Sequence, residues 1–273
     1  MSTLVLDQSD DDYRAAVGIN SSSLHHALRS AGHYRYAKDH PRAPSEQMVL
    51  GQAIHILLLT PHLENERLAV LPDDAPTRRS NAGKQWHEDF ERRTAGKFIM
   101  EPARMQLARD IAERVRSHSI AGSLLEDCAL REVSLYWTEL ATGLPCKARL
   151  DALSADYRLI VDVKSTSDAR EDPFARSAFD YRYDIQAAHY VDAVLSVKSV
   201  QPLYCWIVVE TDPPHGCAVY SAAPQLMNIG DEDRDSALRV INDCSRTGQW
   251  PLYVENVRPL NLPHWAIRAR LPR

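Results

Sequence analysis

The stretch Leu159-Ile-Val-Asp-Val-Lys-Ser-Thr166 decides how this chain is read. Side chains of a strand alternate between faces, so Ile160, Asp162 and Lys164 share one side and Leu159, Val161 and Val163 the other. Working outward, Glu132–Glu139 alternates Val133, Leu135 and Trp137 with polar neighbours, and Ala141-Thr-Gly143 marks a turn. Leu144–Leu153 then returns as a second strand, and after a turn at Ala155-Asp156 the third, Tyr157–Lys164, completes a meander.

Beyond the meander the pattern predicts a helix over Tyr183–Val197, strands over Leu203–Glu210 and Cys217–Ala222, and a helix over Asp231–Arg246. Before it, helices are expected over Leu24–Lys38, capped by Asn20-Ser-Ser-Ser, and over Ser45–Leu59, which stops at Pro61. Met48, Val49, Gln52, Ala53, Ile56 and Leu59 carry the helical spacing of the second. Pro72–Ser80 reads as an exposed loop, followed by helical patterns over Asn81–Thr94 and Pro102–Leu125. The fold class is therefore α/β (α+β): a central mixed sheet flanked by helices, with N-terminal helical insertions. A single domain over 1–273 is expected, with 19–125 mainly helical, 130–222 holding the sheet and its helix, and 223–273 a C-terminal helix and tail.

Of 273 residues, 44% are hydrophobic and 25% charged, enough for a substantial core without metal or disulfide staples. Acidic residues outnumber basic ones, 37 to 32, which excludes a histone-like basic coat but leaves room for a local basic lining. Five cysteines, at 128, 146, 205, 217 and 244, include no Cys-x-x-Cys pair, so neither a disulfide framework nor a zinc ribbon is expected. No apolar run is long enough to cross a bilayer, no Walker loop or Gly-x-Gly-x-x-Gly is present, and a cytoplasmic protein that needs no membrane is expected.

An acid and a lysine near the end of an apolar strand are costly to bury unless they find partners. An isolated Asp-x-Lys on a solvated edge would mean little. Here, however, Asp151 closes the preceding strand and comes beside Asp162 across a hairpin. Two facing carboxylates repel unless a cation sits between them, and hard oxygen ligands suit Mg2+. Gln186 and Tyr190, four apart on the next helix, project from one face that can be aimed at such a site or can simply cap a core-facing helix. His55 follows the small Gly51 on an early helix and offers an imidazole to a metal or a phosphate. His189 lies off the Gln186/Tyr190 stripe, and His25, His26, His33 and His40 are spread around several helix faces rather than clustered for a metal.

The ordered set Gly51-Gln-Ala-Ile-His55, Gly143-Leu-Pro-Cys-Lys-Ala-Arg-Leu-Asp151, Val161-Asp-Val-Lys-Ser-Thr-Ser-Asp-Ala169 and Gln186-x-x-x-Tyr190 resembles the PD-(D/E)xK nuclease superfamily. Within it, the resemblance is to the RecE-like exodeoxyribonuclease VIII group, over residues 19 to 255, with weaker matches at Ser21–Tyr36 and Thr247–Tyr253. The resemblance implies a restriction-endonuclease-like core. It implies a metal site of His55, Asp151, Asp162 and the Val163 carbonyl, with Lys164 orienting or activating a water, and Gln186 and Tyr190 steadying the lysine or the DNA backbone. Mg2+, or Mn2+ in its place, is the implied cofactor. Two departures stand out: Leu150 where relatives often have proline, and Val163 rather than an acid before Lys164, which favours one ion over two.

The implied activity is that of a double-stranded-DNA exonuclease working 5′ to 3′ in phage-type recombination, as a homo-oligomeric ring around DNA with a single-strand annealing protein as partner. A RecB-like repair or CRISPR-associated nuclease acting on single strands or flaps is the nearest alternative, although the cysteines lack the C-terminal cluster of its iron–sulfur versions. A non-catalytic DNA-end-binding protein is the alternative from another class. Arg78, Arg79 and Lys84, with Trp86, form a candidate DNA contact or a solvated loop. Lys147 and Arg149 flank Asp151 and could touch phosphates, or Arg149 could pair with an acid.

Overall fold

The computed structural model describes residues 2–41, 44–253 and 256–262; the end of the expected C-terminal tail, beyond 262, lies outside the described residues. The chain opens with β1 (Thr3–Val5) and α1 (Asp10–Ala15), then α2 (Ser21–Arg29), α3 (Ala31–Asp39) and α4 (Glu46–Leu59). A short 3-10 turn leads to α5 (Glu64–Arg67), β2 (Leu68–Val70), α6 (Asn81–Arg93), β3 (Phe98–Met100), α7 (Pro102–Ser117) and α8 (Ser119–Asp127). The central strands β4 (Leu130–Thr138), β5 (Pro145–Leu153) and β6 (Leu159–Thr166) follow, with α9 (Glu171–Asp180), α10 (Tyr183–Lys198), β7 (Leu203–Glu210), β8 (Cys217–Ser221) and α11 (Pro224–Thr247) completing the fold.

Six strands form one sheet in the order β1-β4-β5-β6-β7-β8, antiparallel except for the β6/β7 pair. A parallel pair needs a crossover, and α9 and α10 supply it. Such strands are covered on both faces, which is why β6 and β7 are nearly continuous apolar runs. On one face Ile160, Tyr204, Trp206 and Val208 pack with Ile185 and Val194 of α10 and Leu238 and Ile241 of α11. On the other, Val161, Val163, Ile207 and Val209 pack with Leu50, Ile54 and Leu57 of α4 and Ile111 and Val115 of α7. The charged residues of β6 are Asp162 and Lys164, both on the α10 face. A side chain at Gly230 would collide with the Asp184 carbonyl, so glycine lets α11 cross close over the start of α10.

Several expectations change in detail. The helix expected over Leu24–Lys38 is two, because Ser30 is extended (φ −173°, ψ 157°) and its hydroxyl caps α3 by accepting from the His33 N–H. Pro102–Leu125 likewise breaks at His118, whose Nδ1 accepts from the Ala121 N–H. The last helix begins earlier, at Pro224, and the third strand later, at Leu159, after Tyr157 turns the chain with φ 65°. In α4 the expected stripe is only part of the buried surface: Ala53, Ile56 and Leu59 are buried but Met48 is exposed, and Leu50, Ile54, Leu57 and Leu58 are buried as well. Loop 72–80 holds no helix or strand, as expected. Among the described residues no helix is long and apolar enough to cross a membrane.

Candidate functional site

The register of β5 on β6 pairs Ala152 with Val161 and Leu153 with Ile160, and there the ladder stops. The next opposed pair is Asp151 and Asp162. The strands part, and Asp151 takes over the role of a ladder carbonyl: its Oδ2 accepts the Val163 N–H at 2.8 Å. The two aspartates then take different partners, Asp151 the Val163 N–H and His55, Asp162 the lysine and Gln186.

On the α4 side, His55 Nε2 donates to the Val163 carbonyl at 2.9 Å while its Nδ1 lies 3.5 Å from Asp151 Oδ2. In a neutral ring that donation leaves the Nδ1 lone pair facing a carboxylate, a repulsive arrangement unless a cation or proton lies between them. Glu132 joins them. It stands opposite Asp151 in the β4/β5 register, between the pairs Val133–Leu150 and Arg131–Ala152, with a left-handed φ of 49°. One ligand atom each from His55, Glu132 and Asp151 lie within 4.8 Å of one another, and among the described residues no other such group occurs. Burial raises the Asp151 carboxyl to about 6; His55 opposes that shift, and the charge of Asp162 adds to it. A half-buried imidazole with two carboxylates fits a divalent cation, Mn2+ as well as Mg2+, that neutralises them.

On the α10 side, Asp162 is 1% exposed and forms an ion pair with Lys164. Gln186, in the first turn of α10, donates from Nε2 to Asp162 Oδ1 at 3.1 Å. Burial works to lower the Lys164 ammonium, but the charges of Asp162 and then Asp151 outweigh it and raise it. Lys164 Nζ also sits 4.8 Å from the centroid of the Tyr183 ring. Tyr190, one turn beyond Gln186, is buried, and burial holds its phenol well above the ordinary value. Tyr204 and Trp206 of β7, beside Ile160 and Asp162 in register, complete this wall.

The structure thus brings together His55, Asp151, Asp162, Val163, Lys164, Gln186 and Tyr190. It places Asp162 with the lysine and outside the His55/Asp151/Glu132 group, and it engages one lone pair of the Val163 carbonyl with His55. Arg149 takes the acid-pairing option: it bonds Glu132 at 2.8 Å, Asp10 at 2.8 Å and the Gln8 carbonyl at 3.1 Å. Arg78 pairs with Glu91 on an exposed surface, and no hydrogen bond or ion pair among the described residues joins Arg78, Arg79 or Lys84 to the carboxylates. Among the described residues His25, His26, His33 and His40 belong to no such group; His33, for instance, bonds Ser30 at 2.6 Å. Glu132, Tyr183 and Tyr204 escaped sequence reasoning. Glu132 was within reach of it, since counting back from the Ala141–Gly143 turn places it across from Asp151.

Residues 21–262 match the family described as PDDEXK-like domain of unknown function (DUF3799). Among solved structures, a Eubacterium rectale protein whose name proposes an exonuclease is similar over 98% of this chain and 100% of its own, at a TM-score of 0.58 and 14% identity. A likeness of that kind speaks for the fold, and the restriction-endonuclease-like core agrees with it. No curated protein matches the chain.

Proposed function

Because the chain belongs to the PDDEXK-like domain family of unknown function, we propose that it is a metal-dependent deoxyribonuclease hydrolysing phosphodiester bonds. The observation that carries this reading is the parting of β5 and β6 at Asp151 and Asp162. It sets an imidazole–carboxylate group on one side and a paired lysine on the other, joined by the Val163 peptide. His55 and Asp151 would hold the ion, with Glu132 as the neighbouring carboxylate and Asp162 within reach through its charge. A bound Mg2+ or Mn2+ supplies Lewis acidity toward the phosphoryl oxygens and a lowered pKa for water.

The chain's own groups divide the remaining work. Lys164, held protonated by Asp162 and Asp151, is a fixed positive charge for the phosphate rather than a proton acceptor. Gln186 fixes the rotamer of Asp162, and through it the ammonium. Tyr190 and Tyr204 exclude water from the rear of this pair.

The finer reading rests on the resemblance to RecE-like enzymes: digestion of duplex DNA from 5′ ends, in a homo-oligomeric ring, alongside a single-strand annealing protein in phage-type recombination. A ring would explain how a chain with net charge −5 stays on DNA, by topology instead of bulk attraction. End-labelled duplex incubated with Mg2+ or EDTA tests both levels. Early release of a 5′ label with Mg2+ alone is the expected outcome, and no hydrolysis with any divalent cation would end the nuclease reading. Run length that collapses at moderate salt would remove the ring.

A further inference from the structure

Tyr181 and Tyr183 flank Arg182, which adopts a left-handed backbone (φ 58°) at the junction of α9 and α10. That conformation is uncommon for a non-glycine residue and here it is firmly held. The Arg182 guanidinium bonds both oxygens of Asp184, at 3.1 and 2.9 Å, and also reaches Asp233 of α11. The Tyr181 N–H donates to the Ser177 carbonyl at 2.9 Å. The two tyrosines are therefore fixed side by side, their rings stacked with centroids 5.8 Å apart and planes 25° from parallel. The inner ring, Tyr183, contacts the Lys164 ammonium. The outer ring, Tyr181, is 69% exposed, and the nearby Phe179 is 73% exposed.

Scattered surface aromatics are ordinary. This one is the outer end of a stack that starts at the lysine of the candidate site, on rigid backbone. We infer that Tyr181 is a stacking platform for an unpaired nucleobase, seating the nucleotide next to the phosphate that Lys164 meets. The inference rests on the nuclease reading for the phosphate and adds the base. Stacking on an aromatic face tolerates every base, so the platform selects for a free face and not for sequence. A base inside a duplex has both faces covered by its neighbours, so the ligand is a single strand or a frayed end.

The probe is an oligonucleotide carrying 2-aminopurine at its 5′ end, as a single strand and as a blunt duplex, mixed with the full chain in Ca2+. Wild type is expected to quench the single-strand fluorophore. Tyr181→Ala should lose that quench and bind the single strand about tenfold more weakly, and Tyr181→Trp should restore both. A merely structural role would not be rescued by Trp, and circular dichroism checks that the exposed position tolerates the change. Equal quenching by wild type and Tyr181→Ala, or no quenching by wild type, overturns the platform. Mg2+-dependent hydrolysis, measured in parallel, separates the two claims. Normal hydrolysis with an unchanged quench in Tyr181→Ala removes the platform alone, whereas a Tyr181-dependent quench without hydrolysis removes the nuclease alone.

Discussion

Lys147 and Lys164 are lysines on neighbouring strands, both largely shielded from water, and they do different things. Lys147 is 5% exposed and directs its ammonium at the last carbonyls of α1, donating to Tyr13, Arg14 and Ala16 at 2.8, 3.2 and 2.6 Å. Three donors meet three acceptors at the negative end of a helix, and burial lowers its pKa. Lys164 has one carboxylate, one ring face and an open side, and its pKa is raised. A buried cation whose donors are saturated by backbone is a staple. One that shares an acid beside a second carboxylate with no cation of its own, Asp151, is poised for a ligand.

Substituting each lysine tests that contrast, and the largest effect should come from Lys164. Lys164→Met is expected to lower kcat for Mg2+-dependent DNA hydrolysis per folded molecule by about 100-fold or more, as for loss of a positioned charge, over and above any stability lost through the unpaired Asp162. Lys147→Met should spare kcat. Leaving three carbonyls without their donor is expected to cost about 3 kcal/mol in urea unfolding while hydrolysis per folded molecule persists. If Lys147→Met were the inactive and stable variant, the contrast would be inverted.

Two histidines sharpen the same point. His55 faces a carboxylate, whereas His189 is a core residue: its Nε2 bonds the Lys147 carbonyl at 3.1 Å and its ring lies 4.8 Å from that of Trp137. Burial, with Arg234 adding to it, pulls the His189 imidazole down to about 3. Its unfolded value is near 6.5, so below that pH the unfolded chain takes a proton that the folded chain refuses. The stability present above pH 6.5 is therefore lost as pH falls, by about 2 kcal/mol at pH 5. Urea unfolding of wild type and His189→Gln across this range should differ by that slope. The smallest effect is that of the cation. Mg2+ at ten times its Kd should stabilise the fold by about 1.4 kcal/mol, and Asp151→Asn should abolish the thermal shift.

Much of the sheet is legible in the sequence because β4 to β7 alternate or run apolar over whole strands and the Ala141–Gly143 turn pins one register. The ordered motifs likewise bring His55, Asp151, Asp162, Lys164 and Gln186 into one neighbourhood. What escaped depends on contacts distant in sequence. Thr3–Ala15 is too short to show a period, yet its docking explains why Lys147 and Arg149 are anchored to the N-terminal segment and to Glu132 instead of facing phosphates. The different partners of the two aspartates follow from the parting of β5 and β6, which no alternation pattern signals. Arg78, Arg79 and Lys84 share charge with a DNA-binding loop, but charge carries no information about where the loop lies.

The most direct test of the central claim is digestion of end-labelled DNA by wild type and Asp162→Ala side by side, each with Mg2+ and with EDTA. Wild type should digest the DNA with Mg2+ only, and a folded Asp162→Ala should not digest it at all. Undiminished digestion by that variant, or digestion that survives EDTA, would contradict the claim.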